Sequence, residues 1–257
     1  MSTVAVHRTP ARRLLAAELL KVRSTRVVWS LLAGTLALAL LALVGVLAGE
    51  PSRTPLNSDD GIARVFVSAG AGSIFALALG ILASAGEVRH GTVVQSFLAV
   101  PQRVPVVVAK VVACGLIGLG FGLVCALFCV AVALPWTASE GQAISPADGQ
   151  LWLVLLGVVL STALYGALGA ALGSLLGNQV LGLLVALGWF VVVESALTAA
   201  LPEVGRWLPG GAASALTRAP SSEELLPMGW GGLLLAAYVV AFAVAGVAAV
   251  RRREVGT

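Results

Sequence analysis

The chain has 257 residues, of which 59% are hydrophobic and 11% charged, with a formal net charge of +4 and a mean hydropathy of +1.00. An ordinary soluble domain carries about 25% charged residues, so no water-soluble fold of this length can bury so much apolar surface. The apolar residues fall in blocks of about twenty, enough to cross a hydrocarbon core of about 30 Å at about 1.5 Å per residue. This predicts an all-α, polytopic membrane protein with six transmembrane helices, and excludes a closed β-barrel, whose strands alternate over about ten residues.

In chain order, residues 1–26 form a basic arm. Within it Leu15, Leu19 and Val22 recur at i, i+4, i+7, with Glu18, Lys21, Ser24 and Thr25 broadly opposite, the pattern of a helix lying in the membrane interface. The first span, Val27 to Ala48, ends in a faint cleavage-like Val46-Leu47-Ala48. It is too long for a signal-peptide core and is followed by five more spans. These are Val65 to Gly86, Val111 to Leu134, Leu151 to Leu176, Val180 to Leu201 and Trp230 to Val250, followed by the 251–257 tail. Segments Glu50 to Arg64, Pro135 to Gln150 and Pro202 to Gly229 connect them on one side. The last is too apolar for a solvated linker and too broken by Pro202, Pro209, Gly210, Gly211, Pro220 and Pro227 for a span. Short, partly re-entrant helices buried against protein would satisfy its backbone. On the other side lie Glu87 to Lys110 and the three-residue Gly177-Asn178-Gln179 link.

Twelve of the 16 basic residues fall in the arm, the Glu87 to Lys110 loop and the tail. This places both termini in the cytoplasm. The positive charge is then orientation bias, and no nucleic-acid partner is expected. The only lysines are Lys21 and Lys110, after Leu20 and Ala109, so the chain has no glycine-rich phosphate loop ending in Lys and Ser or Thr. Neither an HExxH, a GxSxG nor a GxGxxG motif is present. His7 and His90 have no partners at ligand spacing. No catalytic residue, metal site or cofactor is therefore expected in this chain, which is not itself an enzyme. Cys114, Cys125 and Cys129 in the third span read as small polarizable packing residues.

Small residues recur four apart at Gly118 and Gly122, at Gly169, Gly173 and Gly177, and at Ala237, Ala241, Ala245 and Ala249, which suits close helix packing within the fold, with a dimer seam as the alternative. In the second span Phe66, Gly70, Ser73, Leu77, Gly80 and Ser84 share a face, which reads either as a tight helix contact or as the lining of a solute path. Glu194 is the only ionisable residue well inside a span, on a face with Phe190 and Thr198. Buried carboxylates in lipid are costly and usually functional. A solute contact or gate, a structural hydrogen bond to the following segment and proton coupling all remain open for it. In the loop Glu87-Val88-Arg89-His90-Gly91-Thr92, Thr92 can cap a short helix with an apolar edge at Val93, Val94 and Phe97, broken by Pro101. Such an element is shaped for docking, or its charges are simply the basic flank of two spans.

Three features together resemble the permease subunits of type-2 ABC transporters, the six-span membrane halves of many bacterial exporters. They are the arginine-bearing Glu18 to Arg26 stretch before the first span, the Glu87, Arg89, Gly91-Thr92, Pro101, Arg103, Lys110 pattern, and the Leu201-Pro202 to Trp207-Leu208-Pro209 segment. The resemblance covers nearly the whole chain. It implies a bacterial inner-membrane protein, a second permease chain in a homodimer or heterodimer, and two separate ATPase subunits that bind ATP and magnesium. It also implies a coupling helix carrying Glu87, Arg89, His90, Gly91, Thr92 and Arg103, and an outer lid formed by the 202–229 segment. The solute path would pass Ser73, Phe75, Trp189, Phe190 and Glu194, carrying a hydrophobic or amphipathic small molecule or lipid outward. The chain departs from the family in the scarcity of charge between its fourth and fifth spans. A stand-alone secondary transporter or channel, and a non-transporting scaffold or immunity protein, are the alternatives; the former would more often show several midplane ionisable residues.

Overall fold

The structure, a computed structural model, describes residues 11–49, 55–89, 103–219 and 225–252. Among them there is no strand. The helices are α1 (Ala11–Arg23), α2 (Arg26–Leu47), α3 (Asp59–Phe66), α4 (Ser73–Arg89), α5 (Arg103–Ser139), α6 (Gly149–Leu176), α7 (Gln179–Leu187), α8 (Glu194–Ala200), α9 (Pro202–Gly205), α10 (Pro209–Leu216) and α11 (Met228–Arg252). Six helical segments are long and apolar enough to cross a membrane. The second is α3 and α4 joined through a 3-10 turn at Val67–Gly72, and the fifth is α7 and α8 joined through a π turn at Gly188–Val193. Leu41, Leu184, Val192, Leu233, Val240 and Val244 are all more than 60% exposed, a surface that only lipid solvates. The protein is an all-α, multi-pass membrane protein.

Local chemistry sets the helix ends. Ser58 caps α3, its hydroxyl accepting the Gly61 N–H at 3.2 Å, and Asp59 and Asp60 in the first turn complement the helix dipole. Asp148 caps α6 by accepting the Gln150 N–H at 2.8 Å. The tight link after α6 works because Gly177 takes a left-handed φ of 63°, which a side chain would resist. Asn178 then caps α7 by accepting from Val180 and Leu181 at 3.0 and 3.1 Å.

The fourth span, α6, is the centre of the bundle and packs along α4, α5 and α11. Along their most apolar stretches the second and fourth spans are 61% buried, the first, fifth and sixth only 17%; the latter three are peripheral. Glycines set the closeness of the centre. A Cβ on Gly169 would strike the Leu77 carbonyl, and one on Gly157 the Leu216 carbonyl, so α4 and α10 both lie backbone-to-backbone on α6. The later part of that face of the second span is therefore a helix contact: Leu77 and Gly80 press on α6, and Ser84 lies against Gly173. Gly118 and Gly122 likewise meet α6 at Thr162 and Val159.

Several expectations are corrected. The alanine row of the last span is not its packing face: Ala237 and Ala241 are exposed, Ala245 and Ala249 only half-buried, and α11 packs instead through Gly231, Leu235, Val239 and Gly246. The third span begins earlier than its hydropathy block, because Pro105 falls in the first turn, where a missing N–H costs nothing. Lys110 thus lies within α5 rather than in the loop. Glu18, expected on the polar side of the interfacial helix, is buried, while Leu20 is 69% exposed. The reason is a buried ion pair between the Glu18 carboxylate and the Lys110 ammonium at 3.7 Å. Lys110 also donates to the Ala83 carbonyl at 3.4 Å, and Lys21 reaches Glu18 at 3.0 Å. One carboxylate thereby fastens α1 to α5, and Lys110 carries the link on to α4.

Candidate functional site

At the end of the bundle where α6 and α11 begin, the chain after α8 folds back on itself. Pro202 and Pro209 open α9 and α10 at the position where proline's fixed φ suits a helix. Gly205 lets α9 press on Thr198, where a Cβ would come within 2.9 Å of the Thr198 Cα. The segment is pinned by side chains. Arg218 donates to the Gln150 side-chain oxygen at 2.6 Å, and Tyr238 to the Trp207 carbonyl at 3.1 Å. Trp152, Trp207 and Trp230 are each more than half exposed at this end, the arrangement by which indoles mark a membrane–water interface.

Beneath the folded-back segment is a cavity of about 1150 Å3. Its walls are the 3-10 turn and start of α4 on one side, Ser161 and Tyr165 of α6 at the back, and Phe190, Glu194 and Thr198 of the fifth span opposite. Residues from α9 and α10 and the following turn, among them Arg206, Ser214 and Thr217, form the roof. The floor carries an edge-on aromatic pair, Tyr165 against Phe190, with centroids 5.5 Å apart at 62°, a favoured packing for two rings.

Glu194 is 4% exposed. Its Oε1 accepts the Gly210 N–H at 2.5 Å, in the first turn of α10, where unpaired amides and the helix dipole favour a carboxylate. A Cβ at 210 would lie 2.8 Å from that oxygen, so a larger residue there would displace the carboxylate. The other oxygen, Oε2, is buried and has no hydrogen-bond partner among the described residues, and the same is true of the Arg206 Nε. Arg206 also lies over the Trp207 ring at 6.0 Å, within cation–π range.

Several hydroxyls at or beside the cavity are polarised in one sense. Ser68, Ser161 and Thr217 donate to carbonyls of their own helical turns, Val65, Val158 and Ala213. Thr162 donates to the Val158 carbonyl at 2.8 Å, so in the 3.0 Å contact between Ser73 and Thr162 the proton belongs to Ser73. With its single proton committed, each of these oxygens has only acceptor capacity left.

Of the residues expected on a solute path, Ser73, Phe190 and Glu194 line this cavity, whereas Phe75 and Trp189 do not. Phe75 packs against Gly34 of α2, and Trp189 is 41% exposed on the periphery. Of the docking loop, Glu87 and Arg89 fall in the last turns of α4 and Arg103 opens α5. Their side chains, and all of His90, Gly91 and Thr92, lie outside the described residues. Sequence reasoning missed Arg206, Tyr165, Ser161 and Thr217 as lining residues. The Pro209-Gly210-Gly211 run was the legible signal that a backbone comes close to something there. No family model and no curated protein matches the chain.

Proposed function

We propose that this chain is the membrane-spanning permease subunit of an ABC exporter in a bacterial plasma membrane. It pairs with a second permease chain, lies with both termini in the cytoplasm, and moves a hydrophobic or amphipathic small molecule or lipid. A separate ATPase subunit binds ATP and magnesium and docks on the 87–103 loop. The observation that carries this reading is the roofed cavity between the second, fourth and fifth spans, with a buried carboxylate in its wall. It is large enough for a drug-sized solute. The link from α1 through Glu18 and Lys110 to α4 and α5 supports it further, because that link ties the interfacial helix to the two helices that flank the docking loop. Closure of the ATPase pair on ATP pushes the loop and shifts the second and fifth spans, opening the cavity to alternate sides by small movements of packed helices.

The test is co-expression with an ATPase encoded beside the gene. Co-purification of the two chains is expected. Glu87→Ala or Arg89→Ala is expected to lower the coupled ATPase rate while membrane insertion stays normal. Failure to co-purify, with no effect on the ATPase rate, contradicts the reading.

A further inference from the structure

We infer that the cavity binds a zwitterionic amphiphile, its ammonium held by Glu194 Oε2 and its anionic group by Arg206. This names the solute class of the proposed transporter, and it rests on that reading only for what happens after binding. Glu194 does two separate things with its two oxygens. Oε1 is occupied by the Gly210 N–H, which accounts for the fold of α10. Oε2 is buried with no partner among the described residues, in the wall of a cavity of about 1150 Å3. A buried carboxylate oxygen without a donor is expensive, even with the Gly210 and Gly211 amides at the start of α10 acting on the carboxylate.

The ligand that repairs this is a donor, and the surroundings specify which kind. Ser73, Ser161 and Thr217 share the cavity with Glu194, and each has spent its proton elsewhere. Around these three residues the wall offers a carboxylate oxygen together with neutral acceptors, and an ammonium, which has several N–H donors and no acceptor, complements it; Tyr165, Ser195, Thr198 and Ser214 bring further hydroxyls to the lining. A lone cation does not complete the account, because Arg206 lines the same cavity with a buried Nε that has no partner among the described residues. An anionic group on the same ligand satisfies that side. Ile74, Leu77, Phe190 and Leu225 also line the cavity and receive an apolar body.

Two sources carry this chemistry, a phosphoethanolamine lipid headgroup and a non-lipid amphiphilic amino acid. The purified chain in a nonionic maltoside detergent, without any ATPase, is titrated by native mass spectrometry with four probes. Lysophosphatidylethanolamine and N-dodecyl-β-alanine have both charges, lysophosphatidylglycerol lacks the ammonium, and dodecylammonium lacks the anion. The two zwitterions should bind at least about tenfold more tightly than either singly charged probe, and whichever zwitterion is tighter assigns the source. Glu194→Gln retains a carbonyl oxygen for the Gly210 N–H, so α10 stays capped; it should weaken both zwitterions and dodecylammonium about tenfold. Arg206→Gln, on the roof, should weaken the zwitterions and leave dodecylammonium unchanged. Lysophosphatidylglycerol binding as tightly as lysophosphatidylethanolamine, or zwitterion affinity unchanged in both variants, overturns the assignment. Since no ATPase is present, that failure stands apart from failure of the transport reading, which the co-purification experiment decides.

Discussion

Two carboxylates, Glu18 and Glu194, show how differently an ionisable side chain can be held in an apolar bundle. Glu18 is compensated by Lys110 and Lys21. Removing one partner of a buried ion pair leaves the other uncompensated, at a cost of about 3–5 kcal/mol. Glu18→Ala should therefore lower the unfolding free energy in detergent by that order, and the double variant Glu18→Leu, Lys110→Leu should recover most of it. A single-variant effect below about 1 kcal/mol would show that the pair is solvated. Gly210 is subject to a different limit. Gly210→Ala puts a methyl group against the Glu194 carboxylate and should cost about 1–3 kcal/mol by overpacking, loosening α10 without disturbing membrane insertion. Protease accessibility of the 202–219 segment measures this, and unchanged protection would refute it. Neither contact was visible in the one-dimensional pattern. Glu18 sat on the polar side of a narrow apolar arc, and only its encounter with a lysine 92 positions away turns that side inward.

For the elements, hydropathy located all six spans because lipid imposes length and apolarity on each helix separately. It did not reveal which side of each helix faces a neighbour. The glycines of α6 were correctly expected to pack within the fold, whereas the equally regular alanine row of α11 is turned outward. Between two apolar solvents, lipid and protein interior, hydrophobicity gives no direction, and backbone closeness decides the face. Gly169→Val, placed against the Leu77 carbonyl, should separate α4 from α6 and lower the thermal unfolding midpoint well below that of Ala241→Val on the exposed face of α11. Equal midpoints would contradict the assignment of faces. The 3-10 and π turns at Val67–Gly72 and Gly188–Val193 were not legible in hydropathy either, which runs unbroken through both. They lie in the second and fifth spans, the two that border the cavity from opposite sides, and such interruptions often mark functional sites.

As a whole molecule, the chain divides its polar groups between two ends. The end with α1 and the start of α5 contains the Glu18 and Lys110 link, and the end with α9 and α10 contains the cavity. Glu194 was legible as exceptional because a single acid in a span stands out. Arg206 was not, because an arginine in a broken, proline-rich segment looks like any surface charge until the segment folds over a cavity. The central claim is that ATP use by a docked subunit changes access to this cavity. The direct measurement replaces Cys114, Cys125 and Cys129 with alanine, introduces Ser214→Cys on the cavity roof, and follows labelling by a membrane-impermeant maleimide in the complex with the ATPase. The labelling rate should change several-fold when the ATPase is trapped with ATP and vanadate, and should not change without the ATPase; a rate indifferent to nucleotide in the intact complex would contradict the account.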